Sequence, residues 1–245
     1  AKLQELIQHL NALLASEVMR YEVIENELVE IKEKYADERR TRIIKMATEF
    51  NPEDMYADDD MVITISHLGY IKRTPLADFR QQGRGGIGAK AGAARDEDFI
   101  EYVHQANMHS TMMFFTEQGR LYWTKVYELP EGNRQSKGRA LQNMINIQKG
   151  DKVCAFIHVK NLSDMEYVQN HYLIFATKNG LMKKTTLESY SRPRANGIIA
   201  LGLREDDRLI RVTLTDGNSQ MLVASYNGKV VRFPEDTVRP MGRTA

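Results

Sequence analysis

A glycine-rich stretch at residues 83–88, Gly-Arg-Gly-Gly-Ile-Gly, has the residue types and spacing of a ligand-binding turn. It fits Gly-x-Gly-x-x-Gly, the pattern by which a turn between a strand and a helix approaches the pyrophosphate of a dinucleotide. The context argues against that role, because the stretch follows Pro75 and a polar Arg-Gln-Gln run instead of a parallel strand. A Walker-type phosphate loop fits no better, since Lys90 comes one place late and no Ser or Thr follows it. We therefore do not expect a nucleotide site.

The glycines and the arginine of this stretch suit a different ligand. Glycine lets the backbone approach a bulky partner, and the guanidinium of Arg84 offers a planar fork that matches phosphate geometry. The stretch is therefore predicted to contact the phosphate backbone of DNA.

Catalytic and metal-binding patterns do not occur in the rest of the sequence. The six histidines lack metal-ligand spacing, and Ser or Cys nucleophile motifs are missing. Asp58, Asp59 and Asp60 are adjacent carboxylates, but without histidine or a glycine-containing calcium loop they are typical of a solvated linker. The single cysteine, Cys154, lies in an apolar run and is predicted to be a buried filler. We expect no metal site and no cofactor in this chain.

The composition, 42% hydrophobic and 27% charged, is that of a soluble globular protein. The apolar runs are far shorter than the roughly 20 residues of a membrane-spanning helix, so no membrane association is expected. The lone cysteine and the lack of a signal-peptide pattern favour the cytoplasm. The way the chain starts and stops also suggests a piece of a longer protein.

The net charge of +1 hides an uneven distribution. Residues 1–60 carry 8 basic and 15 acidic side chains, whereas residues 61–245 carry 26 basic and 18 acidic ones. An excess of positive charge in the second region favours a polyanionic partner such as DNA. Many soluble domains with this charge bind nothing anionic, so charge alone leaves both interpretations open.

The first 43 residues are predicted to be helical. Up to about Arg42 there is no Gly or Pro, and apolar residues recur at helical spacing. Ser16 is a suitable N-cap, so we expect one helix before it and a second from Glu17 to about Tyr35. The charged outer face fits a solvated surface or the flank of a helix pair. Residues 44–60 are interpreted as an acidic linker.

Residues 61–245 contain four copies of one sequence unit. The copies align on Gly69, Gly119, Gly180 and Gly228, with apolar residues 7 and 6 places before each glycine and Ser or Thr 3 places before it. Two copies carry Asn-Gly, which favours a tight hairpin turn. The glycines are 50, 61 and 48 residues apart, a period typical of propeller blades. We predict a mainly β fold: a partial β-propeller-like (β-pinwheel) domain of about four blades, the last incomplete.

Basic residues recur after the hairpin glycines and near later glycines of each copy. If these strands occupy equivalent places in successive blades, the side chains form a belt around the rim that binds DNA. Solvated lysines that only prevent edge-to-edge aggregation, or a propeller that binds a protein, remain alternatives. The predicted rim residues are Lys72, Arg73, Lys90, Arg120, Lys125, Lys137, Arg139, Lys183, Lys184, Arg192, Arg194, Lys229 and Arg232.

The segment Gln82–Gly88 resembles the box Gln-Arg-Arg-Gly-Gly-Lys-Gly of the DNA gyrase A family of type IIA topoisomerases. Three further segments are similar to this family: Glu38–Ile43 to the exit from its gate helices, and Lys125–Pro130 and Gly228–Phe233 to its pinwheel blades. Two positions depart from the box, because Gly83 stands in place of Arg and Ile87 in place of Lys. The resemblance implies a DNA-binding box made of Gln82, Gly83, Arg84, Gly85, Gly86, Ile87 and Gly88.

The resemblance also implies what the parent protein does. Residues 1–43 would end the coiled-coil gate region, and residues 61–245 would wrap DNA for an ATP-dependent topoisomerase that introduces negative supercoils in the bacterial cytoplasm. The family's nucleophilic tyrosine context, Ala-Ala-Thr-Arg-Tyr, is missing, so this part would be non-catalytic. Mg²⁺ and ATP would be bound through the partner protein, gyrase B, in an A2B2 assembly that contains two copies of gyrase A. The weakened box also allows a decatenating enzyme, in which the parent is the corresponding polypeptide of topoisomerase IV.

Overall fold

The computed structural model describes residues 2–41, 51–79, 83–86, 88, 92 and 97–244, in two units that divide after residue 50. The first unit contains α1 (Lys2–Ala15) and α2 (Glu17–Tyr35). Ser16 caps α2, with its Oγ 3.4 Å from the backbone N–H of Met19, which confirms the predicted break. Apart from the half-buried Leu13 and Met19, the large apolar side chains of both helices are exposed. Among the described residues, no helix has the length and hydropathy needed to cross a bilayer.

The second unit, residues 51–245, is built of antiparallel strands, as predicted. Its one short helix among the described residues is α3 (Met165–Asn170). The strands are β1 (Asp60–Ser66), β2 (Tyr70–Pro75), β3 (Ile100–Asn107), β4 (Thr111–Thr116), β5 (Arg120–Lys125), β6 (Arg139–Ala140), β7 (Val153–Val159), β8 (Tyr172–Thr177), β9 (Met182–Thr186), β10 (Ile198–Ile199), β11 (Leu209–Thr215), β12 (Gln220–Ala224) and β13 (Val230–Pro234).

These strands form four successive blades, each centred on one of the predicted hairpins. The strand orders are β3-β1-β2-β6 in blade 1, β7-β4-β5-β10 in blade 2, β11-β8-β9 in blade 3 and β12-β13 in blade 4. In every hairpin the residue 6 places before the glycine pairs with the residue 4 places after it, for example Ile63 with Arg73 and Ile174 with Lys184. The aligned repeat is therefore confirmed as one structural unit.

Neighbouring blades exchange strands. After the β4–β5 hairpin of blade 2 the chain crosses to blade 1, where β6 pairs with β2, and after the hairpin of blade 3 it crosses to blade 2, where β10 pairs with β5. After blade 4 the chain reaches blade 3, where the N–H of Met241 bonds to the carbonyl of Lys184. We call residues 130–140, 191–199 and 239–243 the first, second and third crossover segments. The glycine box follows the β1–β2 hairpin of blade 1 at the equivalent place in the repeat.

The hydrophobic core lies between the faces of the blades. In β4, Phe114 packs toward blade 1 and Phe115 toward blade 3, so that this strand is buried on both faces. The third strands of blades 1 to 3, β3, β7 and β11, come together at one edge, where the rings of Tyr102 and Phe156 are 4.9 Å apart. We call this the inner edge. The crossover strands β6 and β10 lie at the opposite, outer edge.

The described half of the expected linker, residues 51–59, is part of the second unit. A 3-10 turn covers Pro52–Met55, and the rings of Tyr56 and Tyr127 stack 4.9 Å apart. His109 Nε2 donates to the carbonyl of Tyr56 at 2.8 Å. These residues therefore contact blade 2 through the stacked ring of Tyr56, although nearly all their side chains remain exposed.

Candidate nucleic-acid interface

Lys72 on β2 is one of the predicted rim cations, and it is only 2% exposed. Its ammonium group donates to the carbonyls of Asn133 at 2.9 Å, Arg134 at 3.1 Å and Ser136 at 2.9 Å, all in the first crossover segment. Burial lowers the pKa of Lys72. The Lys72 side chain thus donates to carbonyls that do not take part in the β2–β6 ladder. It thereby links blade 1 to the segment that comes from blade 2.

Arg73 follows on the same strand and is also buried. Its Nε donates to the carbonyl of Leu129 at 2.7 Å, and its Nη2 lies 3.1 Å from a carboxylate oxygen of Glu131. Both partners belong to the chain that leads from blade 2 back to blade 1. The two consecutive cations of β2 therefore bind the same neighbouring segment, from its two sides.

Lys183 of β9 repeats the arrangement between blades 3 and 4. It is buried, bonds through its ammonium group to the carbonyl of Arg243 in the third crossover segment, and lies 5.9 Å from the ring centre of Phe175. Burial, with a contribution from the charge of Arg243, lowers the pKa of Lys183 to about 8. This residue occupies the place in the repeat that Lys72 occupies in blade 1.

Lys184, the next residue of β9, forms a buried ion pair with Glu235, with 2.9 Å between Nζ and Oε1. Glu235 also accepts from the hydroxyl of Thr215 at 2.7 Å and from the N–H of Ser219 at 3.2 Å. Burial by itself would raise the pKa of Glu235, but these hydrogen bonds and the charge of Lys184 hold it below its usual value. The group is therefore stabilised as a carboxylate.

Blade 2 fills the same two places with aromatic residues, Tyr122 and Trp123. Arg120 supplies the missing donor: its Nε lies 3.2 Å from the Tyr122 hydroxyl, and its Nη2 donates to the carbonyl of Asn196 in the second crossover segment at 3.2 Å. Lys125, half-buried, pairs with Glu53 and donates to the carbonyl of His109 at 3.1 Å.

The prediction of an exposed belt is therefore wrong for Lys72, Arg73, Lys183 and Lys184, which are buried, and Arg120 and Lys125 are only partly exposed. The reason is the strand exchange. A crossover segment from the next blade covers the strand that carries each pair. Carbonyl and carboxylate oxygens of that segment and of the chain leading into it attract the cations inward. These residues hold blades together.

The remaining described rim cations have exposed side chains. Two lie on the first crossover segment, Lys137 and Arg139, and two on the second, Arg192 and Arg194. Lys229 and Arg232 are exposed on the β12–β13 hairpin of blade 4. The exposed charge predicted from sequence is thus carried mainly by the crossover segments at the outer edge.

The crossover segments lie directly on the neighbouring strands because each of the first two has a glycine at the contact. Gly138 and Gly197 have φ of +74° and +66°, and a Cβ on either would come within 2.6 Å of the carbonyl oxygens of Ile71 and Leu121, respectively. Only glycine combines this backbone conformation with such close approach. The close contact leaves the adjacent basic side chains at the surface.

The glycine box is described in part. Gly83, Arg84, Gly85, Gly86 and Gly88 are exposed, and the N–H of Gly86 bonds to the carbonyl of Gly83 at 3.3 Å. The predicted site residues Gln82, Ile87 and Lys90 lie outside the described residues. Exposed cations therefore recur at successive equivalent places: Arg84 in the box, then the first and second crossover segments.

A groove of about 780 Å³, which the sequence did not indicate, lies beside the second crossover segment. Trp123, Lys125 and Arg194 line it together with Asn143. Trp123 is only partly buried, whereas Phe114 and Phe115 on the neighbouring strand β4 are fully buried. Residues so far apart along the chain leave no spacing signal. Within the described ranges, histidine, cysteine and carboxylate side chains form no cluster able to hold a metal ion.

Four successive blades, linked by strand exchange and by basic crossover segments, define a repeat domain of the β-propeller class. The sequence matches the family described as DNA gyrase C-terminal domain, beta-propeller, over residues 60–107, 110–160, 171–216 and 220–245. The chain belongs to the DNA gyrase A family.

Curated relatives extend this likeness over nearly the whole chain. DNA gyrase A of Haemophilus influenzae is 42% identical over 95% of this chain, and that of Salmonella typhimurium is 44% identical over 91%. The chain spans about a quarter of the length of these relatives. Among solved structures, the C-terminal domain of DNA topoisomerase IV is 28% identical, covering 77% of this chain and 55% of that one, with a TM-score of 0.63. A DNA gyrase A C-terminal domain, 21% identical, shares the fold over 76% of this chain and 58% of that one, with a TM-score of 0.58.

Proposed function

We propose that this chain binds and wraps duplex DNA along the outer edge of its blades. The observation that supports this proposal is the division of the basic side chains. Those on the hairpins of blades 1 and 3 are buried in contacts between blades, whereas those on the glycine box and two crossover segments are exposed. Cations at equivalent places of successive blades offer one phosphate contact after another along the outer edge.

Energetics favour many weak contacts over one strong site. Bending 20–30 base pairs by 40–90° costs on the order of 1–6 kcal/mol, which several distributed phosphate contacts can offset. Such contacts release condensed counterions and carry no sequence information. We therefore expect binding that depends steeply on salt and little on DNA sequence.

In the parent protein, we infer that this domain serves an ATP-dependent type IIA topoisomerase that introduces negative supercoils. The chain would be its non-catalytic wrapping part, with Mg²⁺ and ATP bound through gyrase B and a second copy of gyrase A completing an A2B2 assembly in the bacterial cytoplasm. A decatenating topoisomerase IV is the second candidate. The two uncharged positions of the box, Gly83 and Ile87, favour it because they weaken the grip on phosphate.

The DNA-binding proposal is tested by removing exposed crossover charge. In the variant R192Q/R194Q we expect duplex affinity to fall and the slope of log K against log salt to decrease by up to about 1.8, since each lost phosphate contact removes about 0.9. The matched control K152Q/K160Q removes two exposed lysines that flank the inner strand β7. Fluorescence titration of a labelled duplex at several salt concentrations measures the affinity and the salt slope of each variant.

Equal effects of the two double variants would contradict an outer-edge site. If neither the unsubstituted chain nor the variants bound DNA, a propeller that binds protein would be favoured.

For the full-length parent protein, plasmid supercoiling and decatenation assays with its partner separate the two topoisomerase activities.

A further inference from the structure

The inner edge of the blades contains a cavity of about 260 Å³ at which three blades meet. Blade 1 contributes Tyr102 and His104 from β3, blade 2 contributes His158 from β7, and blade 3 contributes Arg211 and Thr213 from β11. The cavity is much larger than the roughly 15 Å³ that one water needs. It lies at the edge opposite the crossover segments, away from the outer-edge cations.

Two side chains of this cavity lack partners within the described chain. His104 Nε2 is buried and has no hydrogen-bond partner there. Arg211 and His158 are exposed, and the Arg211 side chain makes neither a hydrogen bond nor an ion pair with a described residue. A buried ring nitrogen without a partner is unusual in a folded protein. The rings of His104 and His158 meet edge-on with centroids 6.1 Å apart, so both can face one ligand.

The charges around the cavity favour an anion. Of the described residues, no carboxylate lines it. Glu101, which is next to Tyr102 on β3, hydrogen-bonds to the Tyr102 side chain and to His67, with 2.9 Å between Oε2 and Nδ1 of His67. Burial, followed by the charges of His158 and Arg211, lowers the pKa of His104, and burial lowers that of His158. Cys154 on β7 stays a neutral thiol, since burial, with Glu117 next, raises its pKa to about 12. The guanidinium repels a metal cation and attracts an oxyanion.

We propose that Arg211, His104 and His158 form a binding site for a small tetrahedral oxyanion, of the phosphate or sulfate class, at the inner edge of the pinwheel. The guanidinium supplies a fork of donors, and each imidazole supplies a further N–H once protonated. Because the three side chains come from three blades, a bound anion bridges the blades and stabilises their packing.

Inorganic sulfate is the probe of choice because its charge is constant between pH 6 and pH 8. We expect saturable binding to the 245-residue chain by calorimetry, at least tenfold tighter at pH 6 than at pH 8. Imidazole ¹⁵N spectra should show the pKa values of His104 and His158 rising when sulfate is added, since a bound anion favours the charged rings.

Variants separate this site from the outer edge. R211Q should weaken sulfate binding at least tenfold. The sulfate affinity of R211K should lie between those of R211Q and the unsubstituted chain. H104Q or H158Q should remove most of the pH dependence of sulfate binding. R192Q, at the outer edge, should bind sulfate like the parent chain. Circular dichroism checks that each variant is folded, and a destabilised R211Q is replaced in the comparison by R211K.

Three results would overturn the proposal. The first is equal sulfate affinity of R211Q and R192Q, and the second is ring pKa values that do not change with sulfate. The third is saturable Zn²⁺ binding by the two histidines with no sulfate binding. Competition by a short duplex would show that the phosphates come from DNA rather than from a free anion, and this too would contradict the proposal.

Discussion

Lys184 and Glu235 form a buried ion pair that joins the outer part of blade 3 to the turn after blade 4, with 2.9 Å between Nζ and Oε1. Glu235 stands 7 places after its hairpin glycine, where the other repeats have the apolar residues Leu76, Val126 and Leu187. One repeat thus replaces an apolar contact with a charge. Lys184 of the neighbouring strand compensates this charge, and the Thr215 hydroxyl and the Ser219 N–H also donate to Glu235.

This pair predicts strong coupling between the two residues. We expect E235L to destabilise the chain by about 3–5 kcal/mol, because it leaves the Lys184 charge buried without a partner. The double variant K184M/E235L should recover most of that loss, since two apolar side chains can pack in the same space. Urea denaturation at pH 7 measures both differences from the unsubstituted chain. A double variant no more stable than E235L would contradict the coupling.

Lys183 should make stability depend on pH in the alkaline range. Its folded pKa of about 8 lies below the usual lysine value of 10.5, so between these values the unfolded chain holds a proton that the folded chain has released. The unfolding free energy contributed by this group therefore rises with pH over that window. We expect the parent to gain stability relative to K183M between pH 7 and pH 10, measured by urea midpoints. A difference that does not change with pH would refute this.

The crossover glycines should resist substitution. G138A places a side chain in a positive-φ conformation and against the carbonyl of Ile71, so it should cost more than the roughly 1–2 kcal/mol of the backbone conformation alone. Gly150 is a matched control because it has φ of +87° with no neighbour within 4 Å of a Cβ. In thermal unfolding, the melting temperature should be highest for the unsubstituted chain, lower for G150A and lowest for G138A. Equal losses would show that the crossover segment moves away easily.

We expect the glycine box to tolerate a positive charge at Gly83, the position at which the family has Arg. A Cβ on Gly83 would meet no atom within 4 Å, so an arginine side chain has room there. We expect G83R to leave stability unchanged, to tighten duplex binding and to steepen the salt slope by about 0.9 for one new phosphate contact. G83E is the matched control and should weaken binding. DNA titrations at several salt concentrations measure the affinity and the salt slope of both variants. If G83R left the salt slope of duplex binding unchanged, the box would lie away from the DNA.

Cys154 should be nearly inert. Burial raises the pKa of its thiol to about 12, so at pH 8 only about one molecule in 10⁴ is the reactive thiolate. We expect the folded chain to react with a disulfide reagent roughly a thousand times more slowly than the chain unfolded in urea. Absorbance at pH 8 follows the reaction. Comparable rates in the two states would mean that the thiolate is accessible.

Local features were predictable where they depend on neighbours along the chain. The Ser16 cap, the two helices and the four hairpins follow from short-range patterns, and the structure confirms them. The exposure of the basic pairs was not predictable. Lys72 binds carbonyls 61 to 64 residues away, and no local pattern shows which strand a distant segment will cover.

The sequence by itself determined the repeat, the hairpins and the family, because each depends on residue types at fixed spacing. Only the tertiary structure decided which cations are exposed and which groups meet at the inner edge. Strand exchange and the packing of neighbouring blades bring together residues from different repeats. The balance between burial and hydrogen bonding there depends on three-dimensional neighbours.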